Sequence, residues 1–285
     1  MIKIVECPRD AMQGIAHPIP TELKIRYLNQ LLKVGYDVLD FGSFVSPKAV
    51  PQMADTAQVL EGLDMTGTDT ELLAIVVNLR GATDAGRFES IRYLGYPFSI
   101  SETFEQRNTR KSIAQSLEVV KQMQELCARE NKELLLYFSM GFGNPYGDPW
   151  SVEIVEEWAE KMVAMGISRL SLADTAGTSN PESIAYLYGT LIPRFPQIEW
   201  GAHFHSTPDT RQEKLAAAWE NGCRSFDTAL MGYGGCPFAK DELVGNIATE
   251  SLLQFCREQE IPTRIDREAL QKAQAIAGEV FLANV

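Results

Sequence analysis

Short apolar runs rich in β-branched residues recur along the chain, separated by longer stretches in which apolar positions repeat with a helical period. The runs predict strands near Ile2–Glu6, Asp37–Phe41, Leu72–Val77, Tyr96–Ile100, Leu134–Phe138, Arg169–Leu172, Trp200–Phe204 and Arg224–Asp227. Strands that alternate with helices belong to βα units around a parallel sheet. Eight of them predict an α/β fold of the closed (β/α)8 TIM-barrel type.

Boundary residues support the helices. Pro20-Thr21-Glu22 opens one; Asn180 followed by Pro181 and Glu182 supplies a cap, a first-position proline and an early acid for another. Gly166 and Gly222 follow amphipathic runs and predict C-terminal stops. The unit over residues 78–100 is the weakest, with a short helix between its strands. A further helix over Asp266–Leu282 lies beyond the eighth unit and is expected to pack across one end of the barrel. No Pro/Ser-rich linker or charge block divides the chain, so residues 1–285 are expected to form a single catalytic domain.

An open doubly wound sheet is the main rival, but such sheets announce a nucleotide with Gly-x-Gly-x-x-Gly after the first strand. Here that strand runs into Cys7-Pro8-Arg9-Asp10. Gly232-Tyr-Gly-Gly-Cys236 follows the last strand and fits neither that fingerprint nor a phosphate loop.

Composition narrows the partners. The 285 residues, 45% hydrophobic and 22% charged, can bury a sizeable core. A net charge of −12 argues against nucleic acid and anionic membranes, whose binding depends on cationic side chains. No stretch approaches the ~18 apolar residues of a membrane span, and the N-terminus lacks a signal pattern. A cytoplasmic location is the expectation. The five cysteines, Cys7, Cys127, Cys223, Cys236 and Cys256, are odd in number and form no Cys-x-x-Cys, which excludes a simple disulfide framework.

Polar residues collect at the predicted C-terminal ends of the strands, where barrels of this kind carry their chemistry. Arg9 and Asp10 end the first, Asp40 and Ser43 the second, Asn78 the third, Ser139 the fifth and Asp174 the sixth. His203 and His205, two of only three histidines, end the seventh; as residues i and i+2 of a strand they face one side. Asp10, His203, His205 and Asn246 together could hold a divalent ion. Carboxylate, amide and water ligands favour Mg²⁺ or Mn²⁺, and the two imidazoles leave Zn²⁺ or Fe²⁺ open.

Each residue also has a structural alternative. Arg9 and Asp10 could be an ion pair, Asp174 a turn cap, and Asn246 the cap of the next helix. Cys236, between Gly235 and Pro237, sits in a glycine loop suited to a catalytic thiol and to closure over a site.

These motifs resemble the 3-hydroxy-3-methylglutaryl-CoA lyase family of metal-dependent TIM-barrel lyases over nearly the whole chain. The resemblance rests on Pro8-Arg9-Asp10 with Gln13, Ser43-Phe-Val-Ser-Pro-Lys48-Ala-Val-Pro-Gln-Met53, Asn78-Leu79-Arg80-Gly81, Ser101-Glu102 with Asn108, Asp174-Thr175, His203-Phe-His205, Gly232 to Ala239, and Gly245 to Glu250. It implies cleavage of 3-hydroxy-3-methylglutaryl-CoA, or a close 3-hydroxyacyl-CoA, to acetyl-CoA and acetoacetate. Implied catalytic residues are Arg9, Asp10, Asp40, His203 and Cys236. Arg9 would stabilise the thioester enolate, His203 or Asp10 would move the hydroxyl proton, and Cys236 would protonate the departing carbanion. Gln13, Ser43, Lys48, Asn108 and Asp174 would contact substrate, and Lys48 with Arg107, Arg110 and Lys111 are candidates for the carrier's phosphates. A homodimer is implied too.

The family has Glu at Asp40, Asp at Ser206 and Gly at Ala11. The ligands are kept while their surroundings change. The same machinery on another hydroxyacyl-CoA or hydroxy keto acid, or a catalytically silent metal-binding barrel, are the alternatives.

Overall fold

The computed structural model describes residues 1–234 and 245–282. Eight parallel strands close the predicted barrel: β1 (Lys3–Glu6), β2 (Val38–Ser43), β3 (Glu71–Ile75), β4 (Ile91–Ser99), β5 (Glu133–Ser139), β6 (Arg169–Ala173), β7 (Glu199–His203) and β9 (Ser225–Thr228). The ring closes where β9 pairs with β1, from Lys3 opposite Ser225 to Glu6 opposite Thr228. Two short strands, β8 (His205–Ser206) and β10 (Gly245–Asn246), form a separate antiparallel pair at the C-terminal mouth.

The strands bury both faces. Val5, Cys7, Val38, Leu73, Ile75, Tyr93 and Tyr137 fill the lumen, while the alternate positions join one large cluster against the helices. This two-sided burial is why the strands read as continuous apolar runs.

Most strand ends fall within a residue or two of expectation, and three differences go further. β4 starts at Ile91 instead of Tyr96, because Ile91 and Tyr93 already pair with Leu72 and Leu73. Gly95 lies inside the strand, and a Cβ there would come within 2.6 Å of the Ile75 side chain. The seventh run breaks at Phe204, whose ring turns outward against Phe142 and Tyr188.

The third difference is the last helix, Arg267–Leu282, which packs along the flank rather than across an end. Tyr27 of the helix Thr21–Leu31 meets the Phe281 ring edge-on at 6.0 Å, and Gln274 reaches Glu250 of the helix Thr249–Glu258. The helix between β3 and β4, Leu79–Gly86, is short as expected. Gly166 and Gly222 adopt φ of 79° and 96° after their helices, as predicted.

Candidate metal centre at the barrel mouth

The helix Pro8–Gln13 starts directly after β1, with proline at its first position, where a missing N–H costs nothing. One turn of helix thus presents Arg9, Asp10 and Gln13 together. Asp10 Oδ1 accepts from Arg9 Nη1 at 2.9 Å and from Gln13 Nε2 at 2.8 Å. Arg9 Nη1 also donates to Gln13 Oε1 at 3.0 Å. β2 contributes Asp40 beside a register shift between Asp40 and Gly42. Bulges of this kind re-aim a side chain next to a site. Asp40 is fully buried and accepts from Arg9 Nη2 at 2.6 Å and Nε at 3.0 Å.

The two imidazoles stay on one side despite the strand break, their ring centroids 5.4 Å apart. Asn246 is set opposite His205 by the β8–β10 pairing. Its Nδ2 donates to Asp10 Oδ2 at 2.8 Å and to the Tyr233 carbonyl at 2.9 Å, so its oxygen could serve as a ligand. Asn246 does not cap the following helix, which begins at Thr249 after Ala248. One ligand atom each from Asp10, His203 and His205 lies within 4.8 Å of the others.

The donors suit a divalent cation. His203 Nδ1 is 3.0 Å from Asp227 Oδ2, and His205 Nδ1 is 3.3 Å from the Thr175 carbonyl. With Nδ1 engaged as a donor, each ring offers its bare Nε2, the arrangement that orients metal-bound histidines. Burial raises the Asp10 carboxyl, but Arg9 and His203 outweigh it and hold the group down at about 2. Burial also disfavours charge on His203, yet Asp227 outweighs it and raises that ring, while burial and His203 lower His205. Asp40 is pushed up by burial to about 6 against the pull of Arg9.

The remaining expected residues divide. Ser43 ends β2, with its buried hydroxyl lacking a partner among the described residues. Asp174 is buried and accepts from Ser179 N and Oγ and from Lys214 Nζ at 2.8 Å; its contacts support the turn-capping alternative. Lys48 and Asn108 are exposed, and no hydrogen bond or ion pair among the described residues joins them to the cluster. Arg107 lies over the Tyr146 ring at 4.5 Å, and Lys111 donates to the Val77 carbonyl. Cys236 lies outside the described residues.

Sequence reasoning missed Asp227, Lys214 and Cys7. Asp227 ends the predicted eighth strand, and that position was the available signal. Lys214, in the helix Arg211–Glu220, is buried and also donates to the His205 carbonyl at 2.8 Å, tying the backbone of His205 to Asp174. Cys7 groups with His203 and Asp227, but burial and the three nearby aspartates, Asp227, Asp40 and Asp10, hold its thiol protonated.

A closed parallel barrel with a carboxylate, two imidazoles and a carboxylate-clamped arginine at its C-terminal mouth defines a metal-assisted enzyme of the TIM-barrel class. A family model described as HMGL-like matches residues 2–276. The chain is 35% identical over 269 residues to the hydroxymethylglutaryl-CoA lyase YngG of Bacillus subtilis, covering 93% of this chain and 88% of that one. It is 34% identical to the (R)-citramalyl-CoA lyase of Chloroflexus aurantiacus, covering 92% and 85%. A solved HMG-CoA lyase from Acinetobacter baumannii, in complex with coenzyme A and 3-methylmalate, superposes with a TM-score of 0.90 at 32% identity, covering 99% and 91%. The chain belongs to the HMGL-like family, and it is a lyase. That family depends on divalent metal. No helix among the described residues is long and apolar enough to cross a membrane.

Proposed function

We propose that this protein is a divalent-metal-dependent carbon–carbon lyase. It cleaves 3-hydroxy-3-methylglutaryl-CoA, or a close 3-hydroxyacyl-CoA, to acetyl-CoA and acetoacetate. The observation that carries this reading is the convergence of Asp10, His203 and His205 beside the buried guanidinium of Arg9. Asp10, His203, His205 and Asn246 would hold the ion, with Mg²⁺ or Mn²⁺ best suited to the oxygen donors. When bound, the ion supplies Lewis acidity that lowers the pKa of the substrate hydroxyl.

The chain's own residues account for the rest of the reaction. Asp10 takes the hydroxyl proton on a remaining carboxylate lone pair, since His203 would commit Nε2 to the ion and keeps its Nδ1 hydrogen on Asp227; the carbon–carbon bond breaks, and its electron pair passes into the thioester enolate. Arg9 has five N–H groups. Asp40, Asp10 and Gln13 engage four of them, through Nε, both hydrogens of Nη1 and one of Nη2, and so leave one Nη2 hydrogen for the enolate oxygen. Cys236 is proposed to deliver the proton that turns the enolate into acetyl-CoA. Ser43, whose buried hydroxyl has no partner among the described residues, is assigned to substrate contact. The same proposal includes one catalytic domain, supported by the single closed barrel, a cytoplasmic location, read from the sequence alone, and a homodimer, implied by the family resemblance.

A second reading, cleavage of a different hydroxyacyl thioester, is favoured by the citramalyl-CoA lyase match at nearly equal identity. The test is protein stripped of metal, reloaded with Mg²⁺ or Mn²⁺, and given a panel of hydroxyacyl thioesters that includes both substrates. Release of acetyl-CoA and a keto acid from one of them supports the lyase reading and ranks the two. No turnover of any thioester with metal bound would sink both.

A further inference from the structure

Below the metal centre, inside the lumen, β6, β7 and β9 carry Ser171, Gly201 and Ser225 at one level. Ser171 is the register partner of Gly201, and Gly201 of Ser225. Barrels of this type fill such layers with bulky branched side chains. Three small residues on adjacent strands instead line, with Val5, Val38 and Leu135, the inner part of a pocket of about 20 Å³ that opens toward the N-terminal face between Lys3, Arg169 and Glu199. That is room for one water.

The walls are polar where the void nears the site. Ser171 is 1% exposed and its hydroxyl has no hydrogen-bond partner among the described residues. A Cβ built on Gly201 would meet that oxygen at 3.0 Å, so the hydroxyl lies against the inner face of β7. Two residues further along β7 and β9 stand His203 and Asp227, and Asp227 lines the void as well. One Asp227 oxygen meets His203 Nδ1; a carboxylate has further lone pairs to offer. Toward the N-terminal face, Lys3 and Arg169 flank the Tyr93 ring at 5.2 and 5.0 Å, and Lys3 pairs with Glu199 at 2.8 Å.

We infer that this void is a fixed-water site, in which one water bridges the Asp227 carboxylate to the Ser171 and Ser225 hydroxyls and thereby fixes the carboxylate that orients His203. A site needs two to four polar partners to retain a water, and these three residues supply them. The small layer is then a specific feature of the lumen: it leaves a socket behind the residue that sets the ligand's tautomer. Asp227, Ser171 and Ser225 are positioning residues, since none of them touches substrate. The water site stands by itself; its influence on the ion rests on the proposed function.

The test uses the full chain. A high-resolution crystal structure of the parent should show ordered density bonded to Asp227 and Ser171. The Ser171→Ala/Ser225→Ala double variant keeps the shape but removes the polarity, and Gly201→Ala intrudes on the space; both should lose the density. Calorimetric titration of metal-stripped protein with Mn²⁺ should then show affinity reduced by about three- to tenfold, short of the 10–100-fold expected when a direct partner such as Asp227 is removed. Nitrogen NMR of the metal-free double variant should show His203 no longer held as one tautomer. An empty void in the parent, or a double variant with parental Mn²⁺ affinity and parental His203 tautomer, would overturn the inference. Failure of the parent to bind any divalent ion would instead overturn the proposed function, and the density and the tautomer would still decide the water site.

Discussion

The Arg9 guanidinium is clamped by the Asp40 carboxylate out of solvent: Nη2 lies 2.6 Å and Nε 3.0 Å from Oδ2, with Nε also 3.3 Å from Oδ1. A planar, permanently charged group held on two of its nitrogens cannot rotate away from the mouth. In the proposed reaction Asp40 acts through Arg9, by fixing the direction of the N–H that no described residue engages.

Asp40→Asn should remove the counter-charge and leave a buried arginine underpaired, at a cost of about 3–5 kcal/mol in stability. Urea unfolding gives the stability, and steady-state kinetics should show a fall in kcat larger than the change in KM. Asp40→Glu should recover more activity than Asp40→Asn. Equal activity of the Asn variant and the parent would disprove the positioning role.

Metal affinity should fall with acidity, because Asp227 raises the His203 pKa in spite of burial and a protonated ring cannot ligate. Below that raised pKa, each unit of pH should weaken binding by about tenfold. Asp227→Asn should move the onset of this loss to lower pH while reducing the affinity measured at high pH. Calorimetry across about pH 5 to 8 covers the range in which histidines titrate.

Glu6 is fully buried, and burial pushes its carboxyl up to about 8 from the ordinary 4.5, despite bonds from Thr249 and the Leu230 N–H. Between those two values the folded protein keeps a proton that the unfolded chain gives up. Stability is therefore greatest below about 4.5 from this group's standpoint and declines as pH rises toward about 8. The total loss is on the order of a few kcal/mol. Denaturation midpoints at several pH values should slope downward in the parent and be flatter over the same interval in Glu6→Gln.

Gly234 has φ of +90°, and a Cβ there would lie 2.7 Å from Asn246 Nδ2 and 2.9 Å from Ala11 Cα. Gly234→Ala should displace the amide and weaken Mn²⁺ binding, read by calorimetry, with a smaller change in the thermal midpoint. Parental metal affinity in this variant would argue against Asn246 as a ligand.

The barrel was legible because each strand is buried on both sides and so announces itself as an apolar run. The candidate ligands stood out because charged and imidazole groups at the ends of such runs have few structural uses. The same two-sided burial hid the rest. In Arg224-Ser225-Phe226-Asp227 nothing in the sequence says which parity faces the lumen, so Asp227 read as a strand end and Ser225 as an ordinary polar residue. Lys214 was concealed by its helix, where a lysine is normally solvated, although here it is 3% exposed. Lys48 and Asn108 were placed by resemblance alone, and their exposed side chains gain no support from contacts to the cluster.

The candidate ligands come from opposite sides of the seam at which the first barrel strand meets the last. Asp10 follows β1, the histidines border β7, and Asn246 lies beyond β9. An ion held by all four works as a clasp across that joint, and a barrel with the seam open has no complete site. Binding would therefore favour the closed ring alone, by about 2.7 kcal/mol at a hundredfold excess over Kd. Metal occupancy would then report that the whole chain, from its first strand to its last, has come together.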